Sequence, residues 1–376
     1  MYHQLASNMF TLSNPFLRRI LMQRPIRNNS NSTGSTGQVL VSKSTATTAI
    51  TDLDKDSTRH LVERLLTETR QLMDSENDSS SINSSITARM KTHHVVAFSG
   101  GVDSSLVLQL LVMVAATRPT STADTIIQPI LGVSPAVSQE QLEQAHSVAA
   151  HIGVDLLTVP TQEGSDATYI ENTGQACFVC KTHLYSSLNA IMNHITNLEN
   201  NNDNNSSSST TTTTRRLLYN GTNADDTKDP TRVGLLAARN FSVHSPLIHS
   251  TKQQVRLAAQ YLGLPNYNTA ASPCLRSRLA LGVPATVVHL TMLQQAERQV
   301  RMDLNLSHQV NMRVRMLHQG RARIELDAML LDLAIPWMEV WTQQFTTLGF
   351  SSVSLAPFQT GSVSTMKHVP AQGTVM

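Results

Sequence analysis

A glycine-rich stretch between two apolar runs carries residues whose types and spacing could do chemistry. Ser-Gly-Gly-Val-Asp-Ser at 99–104 follows an apolar run at 95–98 and precedes another at 106–111. This order predicts a strand, a tight turn and the start of a helix. Adjacent glycines let the backbone approach a ligand closely, and a helix N-terminus offers free N–H groups to a phosphate. The stretch therefore predicts a phosphate-binding loop, with Ser104 or Ser105 either capping the helix or bonding a phosphate oxygen.

Asp103 distinguishes this loop from a Walker A motif, where a lysine stands directly before the final Ser or Thr. A carboxylate beside a phosphate is favourable when Mg²⁺ lies between them, so Asp103 is a candidate magnesium ligand. The loop resembles the PP-loop of the ATP pyrophosphatases, which cleave ATP between the α- and β-phosphates and adenylate a substrate. An ordinary turn rich in Ser and Gly is the less favoured alternative.

All three cysteines lie beside other informative residues. Cys177 and Cys180 form a Cys-x-x-Cys pair at a predicted helix start, and Cys274 stands close to two arginines. Nearby guanidinium groups favour a thiolate, which can attack, bind metal or donate sulfur. Four interpretations remain open: three ligands of a [4Fe–4S] cluster, a zinc site completed by His183, a redox pair, or three unrelated buried cysteines.

Strands and helices alternate along much of the chain. Periodicity and stop signals predict helices at 52–73, 140–152 and 252–262, and strands at 126–133, 155–159 and 216–219. The alternation indicates an α/β fold with a parallel sheet, which binds ligands at the carboxyl ends of its strands. Gly-Thr-Asn-Ala-Asp-Asp at 221–226 follows the last of these strands.

After Pro284 the pattern predicts a smaller α+β domain. Its elements are helices at 288–302 and 329–348 and strands at 310–317, 321–326 and 351–355. Arg313 and Arg315 alternate with apolar residues along one strand. Guanidinium groups suit phosphates and carboxylates, so both arginines are candidate substrate ligands. A solvated strand face is the alternative.

Composition bounds the class of protein. The 376 residues are 40% hydrophobic with a formal charge of +2, which favours a real core and disfavours nucleic-acid binding. No apolar run is long enough to span a membrane. The first 51 residues contain five basic and no acidic residues, as in an organellar transit peptide or a disordered tail, so the expected location is the cytoplasm or an organelle.

The predicted divisions are a transit or disordered segment at 1–50, a helix and linker at 51–92, the loop-bearing domain at 93–282 with a low-complexity insertion at 199–214, the smaller domain at 283–362, and a tail at 363–376.

From about residue 93 to 362 the sequence resembles the ATP-dependent sulfur transferases of LarE type, which act in assembly of the nickel-pincer nucleotide cofactor. The resemblance rests on the PP-loop, on the 221–226 segment and on Ser-Pro-Cys-Leu-x-Ser-Arg at 272–278. It implies a PP-loop α/β sheet flanked by helices, with the smaller α+β domain following. One departure is Phe358-Gln359, which stands where the family pattern has Tyr-Arg and so lacks an anion contact.

The resemblance also implies a two-step reaction. ATP·Mg²⁺ would adenylate a carboxylate of a pyridinium-dicarboxylate mononucleotide, and a protein-bound sulfur would then displace AMP to give a thiocarboxylate. Cys274, Asp103 and Arg278 would be catalytic, and Arg278, Arg313 and Arg315 would bind the substrate. The residues implied to bind ATP are Ser99, Gly100, Gly101, Asp103, Ser104, Asn223 and Asp226.

Three cysteines favour the iron–sulfur type of this family, in which Cys177, Cys180 and Cys274 hold a [4Fe–4S] cluster that passes on a sulfide. In single-cysteine members the residue matching Cys274 gives up its own sulfur. The implied partners are a small nucleotide substrate and further copies of the chain, with no nucleic acid and no membrane. The alternatives are a tRNA 2-thiolation enzyme and an ATP-binding module without turnover.

Overall fold

The computed structural model describes residues 52–74, 89–118, 124–203, 212–229 and 232–360. The predicted transit or disordered segment at 1–50 and the predicted tail at 363–376 lie outside these ranges. Among the described helices, none combines the length and apolar character that crossing a membrane requires.

Four parallel strands form the main sheet, as the α/β pattern predicts. They are β1 (Arg89–Ala97), β2 (Asp124–Val133), β3 (Leu157–Pro160) and β4 (Thr212–Tyr219). Their order is β3-β2-β1-β4. The chain moves outward from β1 through β2 to β3 and then returns to the other side of β1. Since β1 is the strand where this direction reverses, a ligand is expected at its carboxyl end, where the glycine-rich loop follows.

Helices cover both faces of this sheet. On one face Val96 packs with the core shared by α1 (Asp52–Asp74) and α2 (Val102–Ala116). On the other face Val95 packs against Tyr185 of α5 (Ala176–Asp203). Adjacent residues of a strand point to opposite faces, so both belong to a core. The helices of this part are α1 (Asp52–Asp74), α2 (Val102–Ala116), α3 (Gln139–Ile152), α4 (Ala167–Glu171), α5 (Ala176–Asp203), α6 (Ala224–Thr227), α7 (Gly234–Asn240) and α8 (Lys252–Tyr261).

Two predicted boundaries in this part are wrong. β1 begins at Arg89 and not near residue 94, and β4 begins at Thr212, inside the predicted insertion at 199–214. The two strands pair along this added length, with Arg89 opposite Thr212. Ladder hydrogen bonds and the β-propensity of threonine extend the strands beyond their apolar residues. Helix α5 also enters the predicted insertion and reaches Asp203.

The remaining chain builds a second, three-stranded sheet. The elements of this second part of the chain are α9 (Val287–Asp303), β5 (Met312–Leu317), β6 (Arg321–Leu326), α10 (Leu331–Ala334), α11 (Met338–Leu348) and β7 (Ser352–Pro357). The order is β5-β6-β7, with β5 antiparallel and β7 parallel to β6. The small sheet after the parallel one is therefore confirmed. Its core also takes in Tyr169 and Ala176 from the preceding part of the chain.

Two predictions for this second part are corrected. The single helix expected at 329–348 is broken by a 3₁₀ turn at Ile335–Trp337, which contains Pro336, because proline has no N–H to continue the helical ladder. The solvated strand face offered for Arg313 and Arg315 is also wrong, since every residue of β5 is buried.

Candidate functional site

The glycine-rich loop joins β1 to α2 in a conformation that only glycine accommodates well. Gly100 has φ +71°, and a Cβ there would lie 2.7 Å from Cα of Ala145. Its carbonyl accepts hydrogen bonds from the side-chain amides of Gln144 and Asn266, each at 2.8 Å. The backbone of the loop is therefore held from outside, which leaves its inner face open to a ligand.

The hydroxyl groups of the loop bond within the loop. Ser104 and Ser105 both donate to the carbonyl of Gly101, at 3.1 and 2.9 Å, and Ser104 Oγ lies 3.1 Å from Ser99 Oγ. The prediction that Ser104 or Ser105 caps α2 is wrong, because the cap position is Gly101, which makes no side-chain cap hydrogen bond. The first N–H groups of α2 thus have no capping side chain, as a phosphate site requires.

The segment after β4 packs directly on this loop. A Cβ on Gly221 would stand 2.7 Å from the backbone N of Ser104, so only glycine fits. Asn223 caps α6 together with Asp226, and its side-chain amide donates to Asp103 at 3.1 Å. The structure therefore brings the two predicted ATP-binding segments together.

Asp103 has a second partner that the sequence analysis missed. The ammonium group of Lys252, the first residue of α8, forms an ion pair with Asp103 Oδ2. The backbone N–H of Lys252 donates to Asp225 at 2.8 Å, and this bond contributes most to holding the pKa of the exposed Asp225 carboxyl below its ordinary value. The position of Lys252 at the start of the predicted helix at 252–262 was the only available signal.

The other carboxylates of this segment are paired as well. Asp226 lies 2.8 Å from a guanidinium nitrogen of Arg232, and Asp225 lies 3.2 Å from the ammonium group of Lys228. Among the described residues, no group of three or more His, Cys, Asp or Glu side chains could hold a metal ion.

The three cysteines are free thiols gathered around two cations. Arg276 donates to Cys177 Sγ at 2.9 Å. Burial lowers the pKa of Arg276, but its electrostatic interactions with Cys177 and Cys274 raise this pKa to a net value above the ordinary one. Burial, followed by the charge on Cys274, raises the pKa of Cys180 to about 12, although Lys181 opposes this shift. The fourth zinc ligand considered from sequence, His183, instead lies 3.5 Å from Asp166.

Two buried polar side chains near these thiols were also missed. Glu163 is 2% exposed and accepts a hydrogen bond from Cys180 Sγ at 3.8 Å through one oxygen. Within the described ranges, its other oxygen and the hydroxyl group of buried Tyr169 have no hydrogen-bond partner. Burial, with smaller contributions from Cys274 and Cys180, raises the pKa of Tyr169. Their isolated positions in sequence gave no signal.

Cys274 lies at the same sheet edge as the glycine-rich loop. The N–H of Leu275 donates at 2.8 Å to the carbonyl of Ala136, which closely follows the carboxyl end of β2. Arg278 donates to the backbone carbonyls of Pro273 and Cys274. This short segment also reaches the second sheet, since the N–H of Ala280 donates to Met316 at 2.9 Å.

The predicted substrate arginines meet different partners. Arg278 pairs with Glu297 at 3.0 Å, and Arg315 pairs with Glu325 at 2.9 Å, all four being largely buried. Burial raises the pKa of Glu297, but the guanidinium group of Arg278 outweighs this and holds it below the ordinary value. These two arginines therefore neutralise carboxylates of the chain itself.

Arg313 is the exception among the three. It is 3% exposed, donates to the carbonyls of Met312 and Ala271, and stacks 5.6 Å from the ring centre of Phe358. No ion pair joins it to a carboxylate in the described part of the chain. Burial, followed by the charge of Arg278, lowers the pKa of Arg313 to about 9. A buried cation without an ion-pair partner costs the folded state free energy.

Comparison with known proteins decides the family. No protein-family profile matches the chain. The uncharacterized protein slr1717 of Synechocystis sp. is 30% identical over 265 residues, which cover 69% of this chain and 87% of that protein. Pyridinium-3,5-bisthiocarboxylic acid mononucleotide synthase of Lactiplantibacillus plantarum is 30% identical over 262 residues, which cover 69% of this chain and 84% of the synthase. The chain belongs to the LarE family.

Solved structures resemble this LarE-family chain only loosely. An NMN synthetase from Francisella tularensis has a TM-score of 0.39 at 13% identity, covering 67% of this chain and 83% of its own. An NH3-dependent NAD synthetase from Campylobacter jejuni has a TM-score of 0.35 at 16% identity, and the match covers 55% of this chain and 74% of the synthetase chain. Family membership rests on the synthase, and it makes this LarE-family protein an ATP-using, adenylating sulfurtransferase.

Proposed function

We propose that this protein adenylates a carboxylate of a pyridinium-dicarboxylate mononucleotide and converts it to a thiocarboxylate. The observation that carries the proposal is the shared sheet edge. The phosphate-binding loop follows β1, and the Cys274 segment hydrogen-bonds to Ala136 just beyond β2. Because β1 and β2 are neighbours, the loop and the Cys274 segment follow adjacent strand ends, which supports transfer of sulfur to a substrate activated at the loop.

The first step is attack on ATP. A carboxylate oxygen of the substrate attacks the α-phosphorus, the bond to the bridging oxygen of the β-phosphate breaks, and pyrophosphate leaves. The N–H groups at the start of α2 hold the phosphates, and the second loop fixes the position of Asp103 through Asn223. Asp103 offers the hard oxygen donors that Mg²⁺ prefers, and the ion when bound neutralises the leaving pyrophosphate.

The second step replaces AMP with sulfur. A nucleophilic sulfur attacks the acyl carbon of the adenylate, the acyl–oxygen bond breaks, and AMP leaves with the electron pair. Arg278 holds the carbonyls of Pro273 and Cys274 and so fixes the backbone that carries the Cys274 thiol. We infer that this fixation, more than contact with substrate, is the role of Arg278, since its side chain already pairs with Glu297.

Cys177, Cys180 and Cys274 would hold the proposed [4Fe–4S] cluster. Thiolates are the ligands that such a cluster takes, and the cations Arg276 and Lys181 interact with these thiols. In the described structure, however, the three side chains do not form a group that could hold a metal ion. When bound, the cluster supplies a sulfur that does not come from a cysteine side chain. The direct alternative is the sulfur of Cys274 itself.

Arg313 is the side chain we propose for the phosphate or second carboxylate of the substrate. Its guanidinium group faces no carboxylate within ion-pair distance among the described residues, unlike that of Arg278 or Arg315. The ring of Phe358 covers it. Binding an anion there would remove the cost of an uncompensated buried charge.

Two measurements test this proposal. The first is pyrophosphate release with ATP and Mg²⁺, with and without the pyridinium-dicarboxylate mononucleotide. Release that depends on the substrate supports adenylation, whereas ATP binding without release would indicate a module without turnover. The second is assay of iron and acid-labile sulfide in protein purified without oxygen, followed by intact mass after turnover. Iron with unchanged mass supports the cluster, and loss of H₂S from Cys274 without iron supports the cysteine.

A further inference from the structure

The carboxylate of Asp103 already has a cation beside it. Lys252 pairs with Oδ2, and the amide of Asn223 donates to Oδ1 at 3.1 Å. Both oxygens that a metal ion would use are thus engaged by the chain itself. The Asp103 side chain is 24% exposed and that of Lys252 is 35% exposed, so the pair is accessible and can be exchanged.

The backbone of Lys252 is fixed, while its side chain is the adjustable part. Thr251 and Gln254 form a capping box at the start of α8. The N–H of Lys252 is bound to Asp225. Any movement of the ammonium group must therefore come from the four-carbon side chain, which has a compact charge and flexible geometry.

We propose that Lys252 is a positioning residue that excludes the divalent cation from Asp103 until ATP arrives. Mg²⁺ loses its water reluctantly and is normally held by one or two carboxylates together with substrate phosphates. In the protein without nucleotide, the ammonium group takes the place of the ion. ATP brings phosphate oxygens that serve both as metal ligands and as a new acceptor for the displaced ammonium group. Metal and nucleotide therefore bind together. This inference rests on the proposed use of ATP.

The neighbouring ion pairs of Asp225 and Asp226 show why Lys252, and not another cation, controls access of a metal ion to Asp103. Asp225 and Asp226 are paired with Lys228 and Arg232, whose side chains are 71% and 53% exposed. Among the cations of the described ranges, only Lys252 pairs with Asp103, the carboxylate in the first turn of α2. Lys228 is accordingly a matched control, since it is also a lysine paired with an aspartate of this region.

The test measures Mn²⁺ binding to the full-length protein by electron paramagnetic resonance of the free ion, without nucleotide. Wild type should bind Mn²⁺ weakly. Lys252→Gln should bind it roughly two- to fivefold more tightly, the size expected for loss of a partly exposed ion pair. If Lys252→Gln fails to fold, Lys252→Met also removes the charge and should show the same gain in Mn²⁺ affinity. Lys228→Gln and Lys252→Arg should match wild type, and Asp103→Asn added to Lys252→Gln should abolish the gain.

Wild-type affinity in both uncharged variants would overturn the proposal. So would an equal gain in Lys228→Gln, which would show a general effect of charge, or a gain that survives Asp103→Asn. The outcome is separable from the proposed function, because no substrate, sulfur or turnover is involved. Adding a non-hydrolysable ATP analogue to wild type should raise Mn²⁺ affinity above that of the nucleotide-free protein, and no rise would also contradict the proposal.

Discussion

Asp103 is the residue on which the nucleotide chemistry depends. It begins α2 beside the open N–H groups, and two other segments reach it through Asn223 and Lys252. A neutral amide at this position would keep the shape but lose the charge that binds a cation. Sequence pattern identified Asp103 from its place in the loop. It could not identify Lys252, because the contact spans 149 residues.

Asp103→Asn should reduce substrate-dependent pyrophosphate release by roughly 100-fold or more, the size typical of losing a main electrostatic contribution to catalysis. The fold should remain, since Asn can still accept a hydrogen bond from Asn223. Release is measured with a coupled phosphate assay and folding by circular dichroism. Asp56→Asn, at an exposed site on α1, is the control. Undiminished release in Asp103→Asn would contradict the PP-loop mechanism.

Arg313 combines a cost to stability with a proposed use in binding. Its pKa of about 9 lies below the ordinary value because of burial and of Arg278 nearby. The unfolded chain therefore binds this proton more tightly than the folded chain does, so at neutral pH the charged form costs the folded state free energy. Below pH 9 the charge is present and can bind an anion, and above pH 9 it is lost.

Arg313→Gln should raise the KM for the mononucleotide about 10- to 100-fold at pH 7.5, as expected for a lost hydrogen bond to a charged group. Its Tm should not fall. In wild type KM should rise as the pH passes 9, whereas the variant should lack this rise. Steady-state kinetics between pH 7 and 10 supply the measurement, with exposed Arg321→Gln as control. A normal KM in Arg313→Gln would remove Arg313 from the substrate site.

At the scale of elements, the loop after β1 and the loop after β4 must pack against each other with no side chain at Gly221 between them. Gly221 allows the segment after β4 to touch the backbone at Asp103 and Ser104. The sequence showed both loops and placed each of them after a strand of a parallel sheet, where ligands bind. The close approach itself depends on the spacing of β1 and β4 in the sheet, and no local pattern reports that spacing.

Gly221→Ala should destabilise the protein by about 1–3 kcal/mol, because the added methyl group overlaps backbone atoms that cannot move aside. The KM for ATP should increase as well, since the shift displaces Asp103. Urea unfolding and pyrophosphate kinetics measure the two effects. Gly164→Ala is the matched control, because a Cβ at Gly164 meets nothing within 4 Å. Equal stability of the two variants would show that the loops do not pack this closely.

The second sheet shows where sequence pattern fails. Alternation along β5 placed Arg313 and Arg315 on a polar face, and the structure buries that face too. Ion pairs between Arg278 and Glu297 and between Arg315 and Glu325 make the burial tolerable. The ion-pair partners Glu297 on α9 and Glu325 on β6 cannot be derived from the alternation of residues along β5. Alternation predicts which side of a strand a residue faces, but not which element packs on that side.

For the whole molecule, one short segment forms hydrogen bonds to both sheets. Residues 274–280 carry Cys274, hydrogen-bond to Ala136 at the main sheet and to Met316 in the second sheet, and place Arg278 against Glu297. This segment thereby links Cys274 to both sheets and to the buried ion pair of Arg278 and Glu297. This arrangement suits a reaction in which one substrate must first meet ATP and then meet sulfur.

The most direct test of this account is to follow the mononucleotide itself by mass spectrometry. Protein purified without oxygen is incubated with ATP, Mg²⁺ and the pyridinium-dicarboxylate mononucleotide, with Cys274→Ser as the comparison. We predict that wild type exchanges a carboxylate oxygen for sulfur and releases AMP and pyrophosphate, while Cys274→Ser forms no thiocarboxylate. Consumption of ATP by wild type without any thiocarboxylate, or equal product from Cys274→Ser, would contradict sulfur transfer at this site.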